Sequence, residues 1–147
     1  MTQLNIALPD AESGSILRLR IPSEPRYAQT VRNAIISFAA FHHVAEDDLD
    51  ALLVAVGEAL ANAFGYASSV HDIEIVCNVD DRRVIAQVLD AGVGCADIPT
   101  GEVAIPEPLA ERGRGIPLMQ HFTDIFAVDS LPGRGTVVTL GRYRRTP

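Results

Sequence analysis

The stretch that decides the fold is residues 72–90, DIEIVCNVDDRRVIAQVLD. Two runs rich in Ile and Val, Asp72–Val79 and Arg83–Leu89, flank the acidic pair Asp80-Asp81. β-Branched residues favour strands, and a short polar break between two such runs is typical of a hairpin. The sequence therefore predicts two adjacent antiparallel strands at the centre of the chain.

Helical periodicity precedes this hairpin. Apolar residues recur at helical spacing from Arg26 to about Phe41, and a second apolar stripe continues to about Tyr66. Three acids at positions 46–48 suit the positive end of the second helix. We expect Phe38 and Phe41 to belong to the core.

Shorter elements complete the pattern. The remaining predicted elements are strands at Leu4–Leu8, Ile16–Ile21, Asp124–Asp129 and Thr136–Tyr143, and a short helix at Gly115–Phe122. The segment Gly92–Arg112 is rich in Gly and Pro and has no clear period, which predicts a functional or mobile loop. We therefore predict a single α+β domain over residues 1–147, a two-layer sandwich with helices on one face of a mixed, mainly antiparallel sheet.

Composition narrows the function classes. The 147 residues are 48% hydrophobic and 21% charged, which is ordinary for a soluble globular domain. No apolar run approaches the roughly 18 residues of a membrane span, and the first residues lack a secretory pattern, so we expect a cytoplasmic protein. The net charge of −7 argues against direct nucleic-acid binding. Cys77 and Cys95 lack metal-type spacing and are expected to be reduced thiols.

The chain contains no lysine, since all 12 of its basic residues are arginine. A Walker-type phosphate loop requires a lysine, and so does Schiff-base chemistry. Both classes are excluded. Any phosphate must be bound by backbone amides, arginine or a metal ion.

An acid and an amide share one face of the second predicted helix. Glu58 and Asn62 are four residues apart, which places them on the same side. The Asn62 carbonyl oxygen could bind Mg²⁺, and Glu58 could act as a general base. Taken alone, the pair is better explained as a solvated part of an amphipathic helix.

Two glycine-containing segments offer a phosphate or base site. Asp90-Ala91-Gly92-Val93-Gly94 follows a strand; Asp90 could accept a hydrogen bond from an exocyclic amine, and Gly92 and Gly94 permit a sharp turn. Alone, this segment could be an ordinary strand-ending turn. It lacks the third glycine of a dinucleotide-binding fingerprint.

The second segment stands before the short helix. Gly113 and Gly115 expose backbone N–H groups at its start, and Arg112 and Arg114 add positive charge. Such a segment can bind phosphate. It can equally be a flexible loop tip with solvated arginines.

The order of these segments resembles the GHKL superfamily, which includes gyrase, Hsp90, MutL and histidine kinase ATPase domains. Glu58–Asn62 resembles the N box, Asp90–Gly94 the G1 box and Gly113–Gly115 the G2 box, and Gly133-Arg134-Gly135-Thr136 closes the set before a strand. The resemblance covers roughly residues 16–143 and implies a Bergerat, or histidine kinase-like ATPase, fold.

Within that superfamily the chain is most similar to anti-sigma factor serine kinases of the RsbW and SpoIIAB type. The stretches that carry this resemblance are Ile21–Arg26, Val56–Ala59 and Gly113–Met119. Members of this type are short and free-standing, and they commonly dimerise.

The resemblance implies an ATP- and Mg²⁺-dependent serine/threonine kinase. It implies Glu58 as the catalytic base and Asn62 as the Mg²⁺ ligand. It implies a nucleotide site formed by Asn62, Asp90, Gly92, Gly94, Arg112, Gly113, Arg114, Gly115 and Thr136. It also implies two partners, an anti-sigma factor antagonist with a STAS domain and a sigma factor whose sequestration is the regulatory output.

Two departures keep an alternative open. Tyr66 stands where the family often has a histidine, and the loop Cys95–Ala110 is rich in Pro and poor in basic residues. The alternative is a regulatory module of the same fold without catalysis, which either binds nucleotide or only sequesters its partner. Arg142, Arg144 and Arg145 are expected to form a solvated basic tail.

Overall fold

A computed structural model describes residues 15–66, 71–90, 115–131 and 135–144. The predicted strand at 4–8 and the loop at 92–112 lie outside the described residues. The helices are α1 (Ala28–Phe41), α2 (Glu46–Tyr66) and α3 (Gly115–Phe122), with a 3-10 turn at Pro25–Tyr27 before α1. The strands are β1 (Ser15–Ile21), β2 (Ile73–Val79), β3 (Arg83–Asp90), β4 (Ile125–Leu131) and β5 (Gly135–Tyr143).

The five described strands form one sheet in the order β1-β2-β3-β5-β4. Each of its four neighbouring pairs is antiparallel. The predicted hairpin joins β2 to β3, and its turn is closed by the Asp80 carboxylate, which accepts the backbone N–H of both Arg82 and Arg83 at 2.7 Å. The central hairpin and the mainly antiparallel sheet are thereby confirmed.

The helices pack on one face of the sheet, as the two-layer prediction requires. Alternate strand residues join buried residues of all three helices in one apolar core. Its strand members include Ile73, Ile75, Val84, Val88 and Leu140. Among the described residues, the opposite face holds a separate small apolar cluster built from strand residues alone.

One core assignment was wrong. Phe38 packs against the core, but Phe41, at the last position of α1, is 78% exposed. Phe41 lies three residues after Phe38, and the helix ends before a further turn can cover it.

Among the described residues, no helix is long and apolar enough to cross a membrane.

The predicted basic tail is also wrong at Arg142, which belongs to β5. Its Nη2 and Nε atoms lie 3.0 and 3.2 Å from Oδ1 of Asp48, near the start of α2. The Asp48 side chain is 1% exposed and that of Arg142 is 12% exposed. Arg142 Nη1 also donates to the carbonyl oxygen of Phe122, the last residue of α3, at 3.2 Å. The arginine is therefore a buried link between β5, α2 and α3.

Arg144 is only partly exposed. Its guanidinium donates to the carbonyl oxygens of His42 and His43, each at 3.0 Å, and of Asp80 at 2.8 Å. It thus joins the α1–α2 connection to the β2–β3 turn. Arg145 lies outside the described residues.

Cys77 is a buried free thiol on the core face of β2. Desolvation by burial raises the pKa of Cys77 from 9.0 to about 12. The unfolded chain releases this proton above pH 9 while the folded chain retains it, so folding stability should fall as pH rises from about 9 to 12. Urea unfolding of the wild type and Cys77→Ala at pH 8, 9 and 10 measures this. Equal slopes against pH in the two proteins would contradict it.

Candidate functional site

Glu58 and Asn62 lie on one face of α2, and both are half-buried. The first residue of α3 packs against them. A Cβ atom on Gly115 would lie 3.3 Å from Oε2 of Glu58 and 3.4 Å from Nδ2 of Asn62. The structure therefore brings Gly115 next to Glu58 and Asn62, although Glu58 and Gly115 are 57 positions apart in the sequence.

The start of α3 lies beside these two side chains. The first four N–H groups of a helix lack partners within the helix. Pro117 stands in the first turn, where its missing N–H costs no helical bond. Gly115 and Ile116 are buried there. Because the helix dipole is positive at this end, the surroundings of Glu58 and Asn62 favour a bound anion.

A second polar pair lies at the ends of two neighbouring strands. Asp90 ends β3 and is the register partner of Thr136 near the start of β5. Asp90 is 6% exposed and Thr136 is 4% exposed. Strand alternation puts Asp90 on the same face as Val88, which is the face that carries the helices. A buried carboxylate and a buried hydroxyl thus stand below α2 and α3.

A pocket joins these polar groups. It has an empty volume of about 460 Å³ with the open mouth included. Its lining comes from two helices and three strands: Ala59, Asn62, Ala63, Val88, Asp90, Ile116, Met119, Val128, Thr136 and Val138. The walls are mainly apolar, and the polar groups are Asn62, Asp90 and Thr136. This composition suits a flat, weakly polar ring that is recognised by hydrogen bonds at its edge.

The apolar walls are the part of the site that sequence reasoning missed. Met119, Val128 and Val138 belong to three different elements, and each had only the pattern of an ordinary core residue. Strand alternation was the available signal, because Val138 has the same parity as Thr136 and Val88 the same parity as Asp90. Strand alternation shows that these residues share one face of the sheet, but it cannot show that a pocket lies above that face.

Several predicted site residues lie outside the described residues. They are Gly92, Gly94, Arg112, Gly113 and Arg114. The described part of the chain holds Glu58, Asn62, Asp90, Gly115 and Thr136. Of these, Asn62, Asp90 and Thr136 line the pocket, and Glu58 stands beside it against Gly115.

No group of three His, Cys, Asp or Glu side chains that could hold a metal ion occurs among the described residues. A hard cation can still bind through an amide carbonyl oxygen together with oxygens of a ligand. Asn62 carries such an oxygen in the pocket lining, one helical turn from the Glu58 carboxylate.

Comparison with known proteins gives a consistent result. The family model described as a histidine kinase-like ATPase domain matches residues 21–142. A protein named anti-sigma F factor from Pasteuria penetrans is 32% identical over 114 residues, which cover 73% of this chain and 76% of the relative. Another of that name from Thermoanaerobacter sp. (strain X514) is 28% identical over 139 residues, covering 90% and 96%.

A solved structure has the same fold. The crystal structure of the RsbU and RsbW domains of a Mycobacterium tuberculosis protein matches with a TM-score of 0.65 at 20% sequence identity. The match covers 90% of this chain but only 33% of the other, so this chain spans about a third of that protein.

Proposed function

The chain belongs to the histidine kinase-like ATPase family, and from that premise we propose that it is an ATP-dependent serine/threonine protein kinase. Its substrate would be an anti-sigma factor antagonist with a STAS domain, and it would also sequester a sigma factor in the cytoplasm. The names of the similar proteins support the regulatory role. The observation that carries the proposal is the convergence of Glu58, Asn62 and Gly115 at the edge of a pocket that holds Asp90 and Thr136.

The adenine ring would lie between the apolar walls of the pocket. The Asp90 carboxylate would accept a hydrogen bond from the exocyclic amine, and the Thr136 hydroxyl would bond to the same edge of the ring. The phosphates would lie toward the start of α3, where backbone N–H groups and the positive end of the helix attract anions. Gly92, Gly94, Gly113 and the arginines at 112 and 114 would complete the phosphate contacts.

The donor set fits a magnesium ion bound with the nucleotide. Mg²⁺ prefers oxygen ligands and is commonly held by one or two protein groups together with phosphate oxygens. Asn62 would supply its side-chain carbonyl oxygen. When bound, the ion would neutralise charge on the phosphates, which is the main chemical requirement of phosphoryl transfer.

Glu58 would act as the general base. The Ser or Thr hydroxyl of the antagonist would give its proton to the Glu58 carboxylate as its oxygen bonds to the γ-phosphorus. The bond from that phosphorus to the β-γ bridging oxygen would break, and ADP would leave with its electron pair. Gly115 leaves room for this carboxylate, because the position of its absent Cβ is only 3.3 Å from Oε2.

The test combines the purified chain, γ-labelled ATP, Mg²⁺ and a candidate STAS-domain antagonist. We expect label on a Ser or Thr of the antagonist, and co-elution of the chain with its sigma factor in gel filtration. Binding of ATP without transfer to any antagonist would support the alternative, a sequestering module that does not catalyse. Absence of ATP binding would overturn the site assignment as well.

Removing the Asn62 side-chain amide should weaken ATP binding in the presence of Mg²⁺. We expect Asn62→Ala to raise the dissociation constant of Mg²⁺-ATP by about 10-fold or more, since losses of this size follow when a metal site is disturbed. Calorimetric titration with and without Mg²⁺ measures this. Asn33→Ala is the matched control, because Asn33 is an exposed asparagine on α1 away from the pocket. Equal affinities of Asn62→Ala and wild type would contradict the metal role.

Replacing a helical glycine by alanine should stabilise the helix at one position and weaken ATP binding at the other. A Cβ on Gly57 meets nothing within 4 Å, so Gly57→Ala should stabilise α2 by about 0.5–1 kcal/mol and leave ATP affinity unchanged. A Cβ on Gly115 would press on Glu58 and Asn62, so Gly115→Ala should weaken ATP binding by about threefold to tenfold. Thermal melts and ATP titrations of both variants check this. An unchanged affinity in Gly115→Ala would show that the close contact is irrelevant to binding.

A further inference from the structure

The buried Arg142–Asp48 ion pair is a feature that the proposed function does not use. Arg142 Nε and Nη2 both donate to Oδ1 of Asp48, and Nη1 donates to the carbonyl oxygen of Phe122. One guanidinium therefore binds the first turn of α2 and the last residue of α3 at once. Its planar fork has fixed donor directions, so it defines the separation of the two groups it bridges.

The position of this link along the helices is informative. Asp48 and Phe122 mark one end of the α2–α3 contact, and Glu58, Asn62 and Gly115 mark the other. The two helices thus run antiparallel. Gly115 and Phe122 are seven positions apart, which is about 10.5 Å along the helix, so any slide of α3 at the ion pair reaches the site undiminished.

The other described contacts of α3 do not fix its position along the axis of α2. Ile116 and Met119 bury apolar side chains in the core, and apolar contact has no preferred direction. The Thr123 hydroxyl donates to the carbonyl oxygen of Met119 at 2.6 Å, but this bond lies within the end of α3 itself. Arg142 ties the end of α3 to the first turn of α2 by directional bonds.

We propose that Arg142, paired with Asp48, is a positioning residue that sets the axial position of α3 along α2. It thereby holds the N–H groups at the start of α3 in place for the phosphates of the nucleotide. This inference rests on the proposed ATP site. A buried ion pair adds little net stability compared with apolar residues of similar volume. Stability alone therefore does not explain this pair, whereas positioning of α3 does.

The test compares ATP with adenosine, which keeps the base and ribose but lacks phosphates. Two variants remove the link. Arg142→Met takes the guanidinium away from the buried Asp48 carboxylate, while Asp48→Asn/Arg142→Met removes both charges of the pair and should recover stability. Dissociation constants for Mg²⁺-ATP and for adenosine are measured by calorimetry, at a temperature where circular dichroism shows each variant folded. We expect both variants to bind ATP about 10-fold more weakly and adenosine within about twofold of the wild type.

Arg144→Met is the matched control. Arg144 is two residues further along the same strand end and also bonds to backbone carbonyl oxygens, but it bridges the α1–α2 connection and the β2–β3 turn. It should keep the ATP-to-adenosine affinity ratio of the wild type. Loss of that ratio in Arg144→Met as well would show general loosening of the fold and overturn the inference.

Two further outcomes would overturn the positioning role of Arg142. Wild-type ATP affinity in the double variant would show that the pair is only structural. Equal losses for ATP and adenosine in the double variant would also overturn positioning of the phosphate end. Failure of the wild type to bind ATP would instead refute the proposed function, so the two failures are distinguishable.

Discussion

Glu58→Ala should reduce phosphoryl transfer to the antagonist by about 10²–10⁴-fold, the usual contribution of a general base. The affinity for Mg²⁺-ATP should stay within about twofold, because Glu58 would act on the attacking hydroxyl and not on the nucleotide. Single-turnover transfer from labelled ATP measures the rate. Calorimetry on the same preparation measures the affinity.

Two controls sharpen this expectation. Glu58→Gln keeps the shape of the side chain against Gly115 but cannot accept the proton as a carboxylate does, so it should be nearly as slow as Glu58→Ala. Asp50→Ala removes an exposed acid from the same helix and should transfer at the wild-type rate. Undiminished transfer by Glu58→Ala would eliminate Glu58 as the base.

Arg142→Met should lower the free energy of unfolding by about 3–5 kcal/mol, the usual cost of removing one partner of a buried ion pair. The reason is that Asp48, at 0% exposure, would lose its guanidinium partner. The carbonyl oxygen of Phe122 would lose a donor as well. Urea unfolding followed by circular dichroism measures the loss.

A surface pair provides the comparison. Arg20 lies 3.6 Å from Glu74, with side chains 56% and 32% exposed, so Arg20→Met should cost less than about 1 kcal/mol. The double variant Asp48→Asn/Arg142→Met should recover most of the stability that Arg142→Met loses. A loss in Arg142→Met no larger than that in Arg20→Met would contradict the buried charge pair.

Local signals were sufficient for most of the fold. The acids at 46–48 and the apolar stripe that follows predicted α2, and Asp80-Asp81 between two Ile/Val runs predicted the β2–β3 hairpin. Both signals are contained within one element or one turn. Phe41 failed because periodicity assigns a helix face but cannot show that the helix ends before its neighbours cover that residue.

Long-range polar contacts were beyond the same reasoning. Arg142 and Asp48 are 94 residues apart, and a basic residue near a chain end has the local pattern of a solvated tail. The site residues were predicted because the order of their motifs resembles a known superfamily. Their spatial relations, such as Gly115 against Glu58, required the packing of α3 on α2.

The position of β5 in the sheet has a consequence for synthesis of the chain. This strand lies between β3 and β4. Its residue Arg142 reaches back 94 residues to Asp48, and Arg144 just after it reaches back 102 residues to His42. Contacts so distant in sequence make folding slow, because a long loop must close before they form. The helix that carries Glu58 and Asn62 therefore leaves the ribosome long before the strand that fixes its first turn. During that interval the nascent chain has no completed site, and the apolar surface that β5 covers in the folded protein stays exposed.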